Sequence, residues 1–275
     1  MHSVRMSHSP AIELVSVIIP SHNYGMFIDE TLKSIMNQTY RNIEVIIVDD
    51  GSDEEDGAGR VVAKYPSVKY FYQEHRGNLT PARAMNVGIS LSHGAYIACI
   101  AADDKLSSTY IERCVSEIEK GKRVGFVWTG KQEFGASNKV YLPGKVRFKS
   151  SFYRGVGGSI GAMLVRREAY DKMPYDESLH GKEDLDLVLR LVKKGWKWRT
   201  VNAPLHFQRQ HEASLTKRIN PSQMRKKVPY QHELERKYPI MILFVRTDMF
   251  FKAVKLFLTK PQLLASKATI LLTRS

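Results

Sequence analysis

The sequence predicts an α/β protein built on an open sheet covered by helices, and two observations carry that prediction. Short β-branched apolar runs, each bounded by turn residues, alternate with longer segments whose apolar residues recur at helical spacing. Each cluster of unusual polar residues also stands directly after one of those runs: Ser21-His22-Asn23, Asp49-Asp50 and Asp103-Asp104. Ligands of open α/β sheets bind beyond the carboxyl ends of the strands, so the three clusters mark one edge as the working edge.

Residues 1–12 are polar and are expected to be loose. Residues 15–19, Val-Ser-Val-Ile-Ile, form a short buried strand that Pro20 is expected to stop. A helix follows over 27–36, where Phe27, Ile28, Leu32, Ile35 and Met36 share one face. Residues 44–48 make a second buried strand and 68–72 a weaker third. The pattern then gives a helix over 81–91, a strand over 95–101 and a helix from 108 to about 120. The second half is less regular. Strands are expected at 124–128, 139–142, 163–165 and 196–201, a glycine-rich loop at 155–162, and a helix over 184–194 with Leu185, Leu187, Val188, Leu191 and Val192 inward.

Composition narrows the class. A chain that is 43% hydrophobic and 25% charged folds rather than staying disordered. Cys99 and Cys114 have neither CxxC spacing nor a second pair, which disfavours a disulfide framework or zinc cage and fits a reducing compartment. No leader-type apolar stretch opens the sequence, so a cytoplasmic location is expected. Most of the net charge of +14 sits in the last sixty residues, where thirteen Lys and Arg face three acids.

Six segments in register carry a family resemblance: VSVIIPSHN, QTYRNIEVIIVDDGS, NLTPARAMNVGI, GAYIACIAADD, GKEDLDLVLRLVKKG and FQRQHEASLT. In order and spacing they resemble glycosyltransferase family 2, over roughly residues 15–216. The resemblance implies a GT-A fold, a Rossmann-like open mixed sheet flanked by helices, spanning 13–216, with a basic, amphipathic helical extension over 217–275. It also implies an inverting transfer of a sugar from a nucleotide-diphosphate sugar, UDP most often, to a hydroxyl of a saccharide or lipid-linked acceptor.

The residues have their own chemistry beside that resemblance. A carboxylate at a strand end, such as Asp50, can accept a hydrogen bond from a base N–H, and the backbone around Pro20, Ser21 and Asn23 can meet base and ribose. By resemblance Asp50 reads the base with Asp49 beside it; equally, two aspartates can end a strand and cap the next turn. Asp103 and Asp104 suit a divalent cation, Mg²⁺ or Mn²⁺, that neutralises a leaving diphosphate. The family pattern has Asp-x-Asp here, with Asp103 as the metal-binding acid. This chain has Ala101 at the first position, and Asp104 is a partial substitute. Glu183-Asp184 opens a helix, where orphan N–H groups hold a carboxylate ionised, as a base requires. By resemblance Asp184 is the catalytic base and Glu183 helps shape the site. Asn78 and Arg83 are expected to face the donor, Arg209 the diphosphate, and His211 the metal or the diphosphate.

In the tail, residues 240–260 place Asp248, Lys252, Lys255 and Thr259 on one narrow stripe of an otherwise apolar helix. No run there approaches the roughly 20 apolar residues of a membrane span. A wide apolar face with flanking lysines suits a helix lying in an anionic membrane surface, on the cytoplasmic side; packing on the domain or on a second subunit, making a homo-oligomer, is the alternative. Nucleic acid is set aside, because the aromatics lie on the apolar face and not among the bases. Two rival functions remain: a catalytically silent sugar-nucleotide-binding homologue, suggested by Ala101, and a nucleotidyltransferase, opposed by the lack of a Gly-rich basic loop after the first strand.

Overall fold

The computed structural model describes residues 12–76, 81–143, 163–170, 175–177, 183–212 and 214. Asn78, the loop 155–162 and the basic extension 217–275, with the helix expected over 240–260, lie outside the described residues. The described residues all belong to one unit, Met1–Lys145 with Arg154–Ile219.

Nine strands join in one mixed sheet, ordered β3-β2-β1-β4-β8-β6-β9-β5, with β7 paired to β6. They are β1 (Val15–Ser21), β2 (Ile43–Asp50), β3 (Val68–Gln73), β4 (Tyr96–Cys99), β5 (Lys105–Leu106), β6 (Val124–Gly135), β7 (Val140–Tyr141), β8 (Met163–Arg166) and β9 (Lys197–Gln210). The helices are α1 (Gly25–Met36), α2 (Gly59–Val62), α3 (Ala82–Leu91), α4 (Tyr110–Ile118), α5 (Arg167–Tyr170) and α6 (Glu183–Lys193). Strands β3, β2, β1 and β4 run parallel, β8 is antiparallel to β4 and to β6, and β9 is parallel to β6.

Strand alternation assigns the two faces. Val15, Val17, Ile19, Val45 and Ile47 pack with Ile28, Leu32 and Ile35 of α1 and with Tyr110, Ile111, Cys114 and Ile118 of α4. Ile46 and Val48 pack with Ala84 of α3 on the opposite face. There α3 lies so close that a Cβ on Gly88 would come within 2.4 Å of Ile18 Cγ2. Helices α1, between β1 and β2, and α3, between β3 and β4, thus cover opposite faces, and the strand order reverses beside β1, which opens a crevice at its carboxyl end.

Several expectations need correcting. Pro20 does not stop β1. Ile18 faces β4, where its carbonyl accepts from Ile100 N–H at 2.9 Å, and Pro20 two residues on faces the same side. Strand β4 has ended by then, so the missing proline N–H deprives no ladder partner. Strand β9 runs on to Gln210 instead of ending at 201, passing Pro204 on an irregular stretch that shifts register between Thr129 and Lys131. Strand β7 keeps only two residues, and β4 ends at Cys99.

At the other end of the strands Glu44 organises a polar clamp. Its Oε1 accepts from Ser16 Oγ at 2.7 Å and from the N–H groups of His93 and Gly94; its Oε2 accepts from Lys69 Nζ at 2.9 Å. Burial alone would raise its pKa. The His93 amide, Lys69 and Ser16 outweigh burial and bring it to about 2. Among the described residues no helix is long and apolar enough to cross a membrane.

Candidate active site

The carboxyl ends of β1, β2 and β3 converge on Asp50. Its Oδ1 accepts from Gln73 Nε2, its Oδ2 accepts from His75 Nδ1 at 2.9 Å, and Arg83 Nη1 of α3 lies 3.6 Å from Oδ1. His22 Nδ1 donates to the main-chain oxygen of Asp50 at 2.9 Å, and its ring stacks on His75 with centroids 4.5 Å apart. Gly51 makes this turn possible. It has φ +73°, and a Cβ there would meet His75 N at 2.5 Å. Beside this group, Ser21 Oγ at the end of β1 is buried without a hydrogen-bond partner. An orphaned hydroxyl, two flat rings and a carboxylate form the kind of polar cleft that receives a heterocycle and its sugar.

Asp50 is held by side chains that line the cleft, whereas Asp49 and Asn23 are tied mainly to the neighbouring loops. Asp49 spends both oxygens on the protein: Oδ1 accepts from Ser52 N, and Oδ2 from Tyr70 Oη at 3.0 Å and Ala58 N at 3.3 Å. Asn23, at φ 57°, exchanges hydrogen bonds with Asp53 and donates its N–H to Ser52 Oγ. Both bind the loop after β1 to the loop after β2 and so shape the cleft that Asp50 lines.

Below the end of β4 the two acids part ways. Asp104 Oδ2 accepts from His206 Nε2 at 2.7 Å and Oδ1 from Arg209 N at 2.8 Å, so both its oxygens are committed to β9. His206 is fully buried, and its Nδ1 has no hydrogen-bond partner. Asp103 instead meets His211 Nε2 through Oδ2 at 3.0 Å. Tyr24, just before α1, and Phe27 within it hold the His211 ring, with centroids 5.9 and 4.8 Å away. The Arg209 guanidinium lies over the rings of Phe27 and Phe134, donates to Asp103 O at 2.9 Å and pairs with Glu30. It therefore braces the end of β9 against α1 while keeping a positive charge beside the acids.

Burial first, and the neighbouring Asp104 charge second, raise the pKa of Asp103; the His211 hydrogen bond opposes them. A carboxylate so placed gains from a cation. Asp103 and His211 supply one carboxylate oxygen and one imidazole nitrogen 3.0 Å apart, close enough to be ligands of one ion. Mg²⁺ and Mn²⁺ are commonly held by one or two protein groups, with phosphate oxygens and water completing the shell, so these residues fit such an ion. Among the described residues no group of three or more His, Cys, Asp or Glu forms a complete protein cage.

Asp184 opens α6. It is buried, and its Oδ1 has no hydrogen-bond partner. Burial and the adjacent Glu183 charge push its pKa well above the ordinary carboxylate range. Burial thus opposes the helix N-terminus that is expected to hold it ionised. Its surroundings include Cys99, Tyr170 and Tyr175, all buried, with the two tyrosine rings packed at 6.1 Å between centroids. A buried carboxylate with a raised pKa and an unpartnered oxygen holds a proton more firmly than an exposed one, which suits a proton acceptor.

The structure thus brings Ser21, Asp50 and Arg83 together, places Asp103 with His211 and Arg209, and sets Glu183 and Asp184 at the start of α6. Sequence reasoning missed His22, Gln73, His75, His206 and Tyr175 as partners of these groups. The only available signal was their proximity in sequence to recognised segments.

A model of glycosyl transferase family 2 matches residues 16–173, more than half of the sequence. The chain belongs to that family. Among curated relatives, the uncharacterized glycosyltransferase EpsJ of Bacillus subtilis is 25% identical over 256 residues, covering 85% of this chain and 70% of EpsJ. The amylovoran biosynthesis glycosyltransferase AmsB of Erwinia amylovora is 28% identical over 222 residues, 74% of each chain. In fold, this family member resembles S. aureus TarS 1-349 in complex with UDP-GlcNAc, with TM-score 0.62, 17% identity and coverage of 74% of this chain and 60% of that one. It also resembles the mannosyltransferase PcManGT of Pyrobaculum calidifontis in complex with GDP-Man and Mn2+, with TM-score 0.60, 17% identity and coverage of 94% and 81%. The mixed open sheet is thus the GT-A fold of these glycosyltransferases.

Proposed function

We propose that this chain is an inverting glycosyltransferase that moves a hexosyl or N-acetylhexosaminyl group from a UDP-sugar to a hydroxyl of a saccharide or lipid-linked acceptor. The process it serves is assembly of a cell-envelope polysaccharide, at the cytoplasmic face of an anionic membrane. Family membership, the amylovoran role printed for AmsB and the UDP-GlcNAc bound to TarS support the donor and the process. The basic tail supports the membrane surface.

The observation that carries the mechanism is Asp184, a buried carboxylate with an unpartnered oxygen and a raised pKa. The acceptor hydroxyl gives its proton to Asp184 while its oxygen bonds to the anomeric carbon, on the face opposite the diphosphate. The bond from that carbon to the diphosphate oxygen breaks, its electron pair leaves with the diphosphate, and the configuration inverts. Asp50 and Ser21 meet the nucleoside, with His22 and His75 providing flat surfaces beside it. Asp103 and His211 would hold the divalent cation, which supplies charge neutralisation to the departing diphosphate.

The test is a panel of UDP-, GDP- and dTDP-sugars scored by thermal shift with and without Mn²⁺, followed by turnover of Asp184→Asn. UDP-sugars should stabilise the protein most. The variant should bind donor normally and transfer roughly 10²–10⁴-fold more slowly. Near-normal transfer by Asp184→Asn removes the base assignment, and a preference for GDP-sugars removes the donor assignment.

A further inference from the structure

Asn86 stands on α3 one turn after Arg83, so the two side chains share a helix face. Arg83 reaches Asp50, whereas Asn86 reaches the segment that precedes α6. Its Nδ2 donates to Tyr175 O at 3.0 Å and to Glu177 Oε1 at 2.8 Å, and its Oδ1 accepts from Tyr175 N at 3.0 Å. The carboxamide thus holds the main chain of Tyr175 by two opposed bonds, as a neighbouring strand would. The Tyr175 ring is buried and packs on Tyr170 with centroids 6.1 Å apart, and Cys99 is buried beside them. All three groups lie within electrostatic reach of Asp184.

We propose that Asn86 is a positioning residue for the base: by fixing Tyr175 to α3, it fixes the wall of the pocket in which Asp184 works. The proposal rests on the reading of Asp184 as base. It adds that α3, pressed on β1 at Gly88, sets donor site and base pocket in one register. The titratable groups around Asp184 are Cys99 of β4, Tyr170 of α5, Tyr175, and Glu183 on its own helix. Among the described residues none of these is a cation, and the Arg190 guanidinium further along α6 is paired with Asp186 at 2.7 Å. Burial is the first cause of the Asp184 shift, ahead of the Glu183 charge, so loosening the wall hydrates the carboxyl and relieves that cause.

The test uses the full chain, with ¹³C-labelled aspartate to follow carboxyl titration by NMR; the Asp184 signal is assigned by its loss in Asp184→Asn. UDP is the binding probe and UDP release from UDP-GlcNAc the turnover probe. In Asn86→Ala the Asp184 midpoint should fall by about one pH unit towards the ordinary carboxylate value as water enters. UDP affinity should stay within about twofold, and any turnover should slow by roughly tenfold or more. Asn86→Asp retains the acceptor for Tyr175 N, should show the same midpoint change to a smaller degree, and serves where Asn86→Ala does not fold. An unmoved midpoint in a folded Asn86 variant overturns the proposal, as does loss of UDP affinity in step with turnover. The NMR midpoint needs no turnover. Failure of the base reading shows separately, as undiminished UDP release by Asp184→Asn.

Discussion

Replacing Asp104 with alanine should destabilise the protein before it affects donor chemistry, because this carboxylate is built into β9. Both its oxygens accept hydrogen bonds, one from the fully buried His206 and one from the Arg209 amide. Removal strands a buried imidazole that already lacks a partner at Nδ1, together with an amide N–H. An orphaned buried polar group costs about 1–3 kcal/mol, and more where the lost partner was charged. Together these give about 3–5 kcal/mol, the cost of breaking a buried pair from one side. For a domain of this size each kcal/mol lowers Tm by roughly 2–4 °C, so a loss of roughly 6–20 °C is expected. Thermal unfolding followed by near-ultraviolet circular dichroism reads it directly. Asp104→Ala with His206→Phe should cost less than the sum of the single variants, because each removes the same contact. A Tm within about 2 °C of the parent for Asp104→Ala would refute the assignment of Asp104 to the scaffold.

Asp103→Ala and His211→Ala should each abolish the Mn²⁺-dependent part of UDP binding measured by calorimetry, with a smaller change in Tm than Asp104→Ala; equal UDP affinity in EDTA and Mn²⁺ for the parent would remove the cation from the site. Glu44→Gln should cost about 2 kcal/mol at neutral pH. Since the folded pKa of Glu44 is depressed to about 2 from 4.5, that contribution is full above pH 4.5 and fades as pH falls through about 2. The two unfolding curves should therefore merge in acid, and a gap that persists there would contradict the clamp. Gly88→Ala should lower Tm through collision with Ile18, or push α3 outward and weaken UDP binding. The full chain should sediment with vesicles containing anionic lipid and a chain ending at Tyr238 should not; equal sedimentation would remove the tail from membrane binding.

The first half of the fold was legible because each element there has a strong local pattern. The β-branched runs of β1 and β2 and the apolar faces of α1, α3 and α4 are long enough for periodicity to identify. Helices α2 and α5 have four residues each and β5 has two, too few to establish any period. Beyond Val201, β9 was illegible because Asn202, Ala203 and Pro204 read as a loop, whereas the sheet absorbs them in an irregularity opposite Gly130. In the site, Asp50, Asp103 and Asp184 were legible by their places after strands or at a helix start. Their partners were not. His206 lies 102 positions from Asp104, and Tyr175 lies 89 from Asn86, so only the folded chain brings them together. The same distance hid the division of labour between Asp103 and Asp104, which adjacent sequence positions cannot express.

Strand β1 continues to Ser21 while β4 is paired only as far as Ile18, so the last residues of β1 border a notch in the sheet. Main chain bordering such a notch, where no strand takes it up, offers hydrogen-bonding groups that no point substitution can delete. Recognition founded there changes slowly over evolution, whereas the side chains around it are free to vary. A lineage of such proteins can then retain the nucleotide handle while exchanging the sugar it delivers and the surface that receives it.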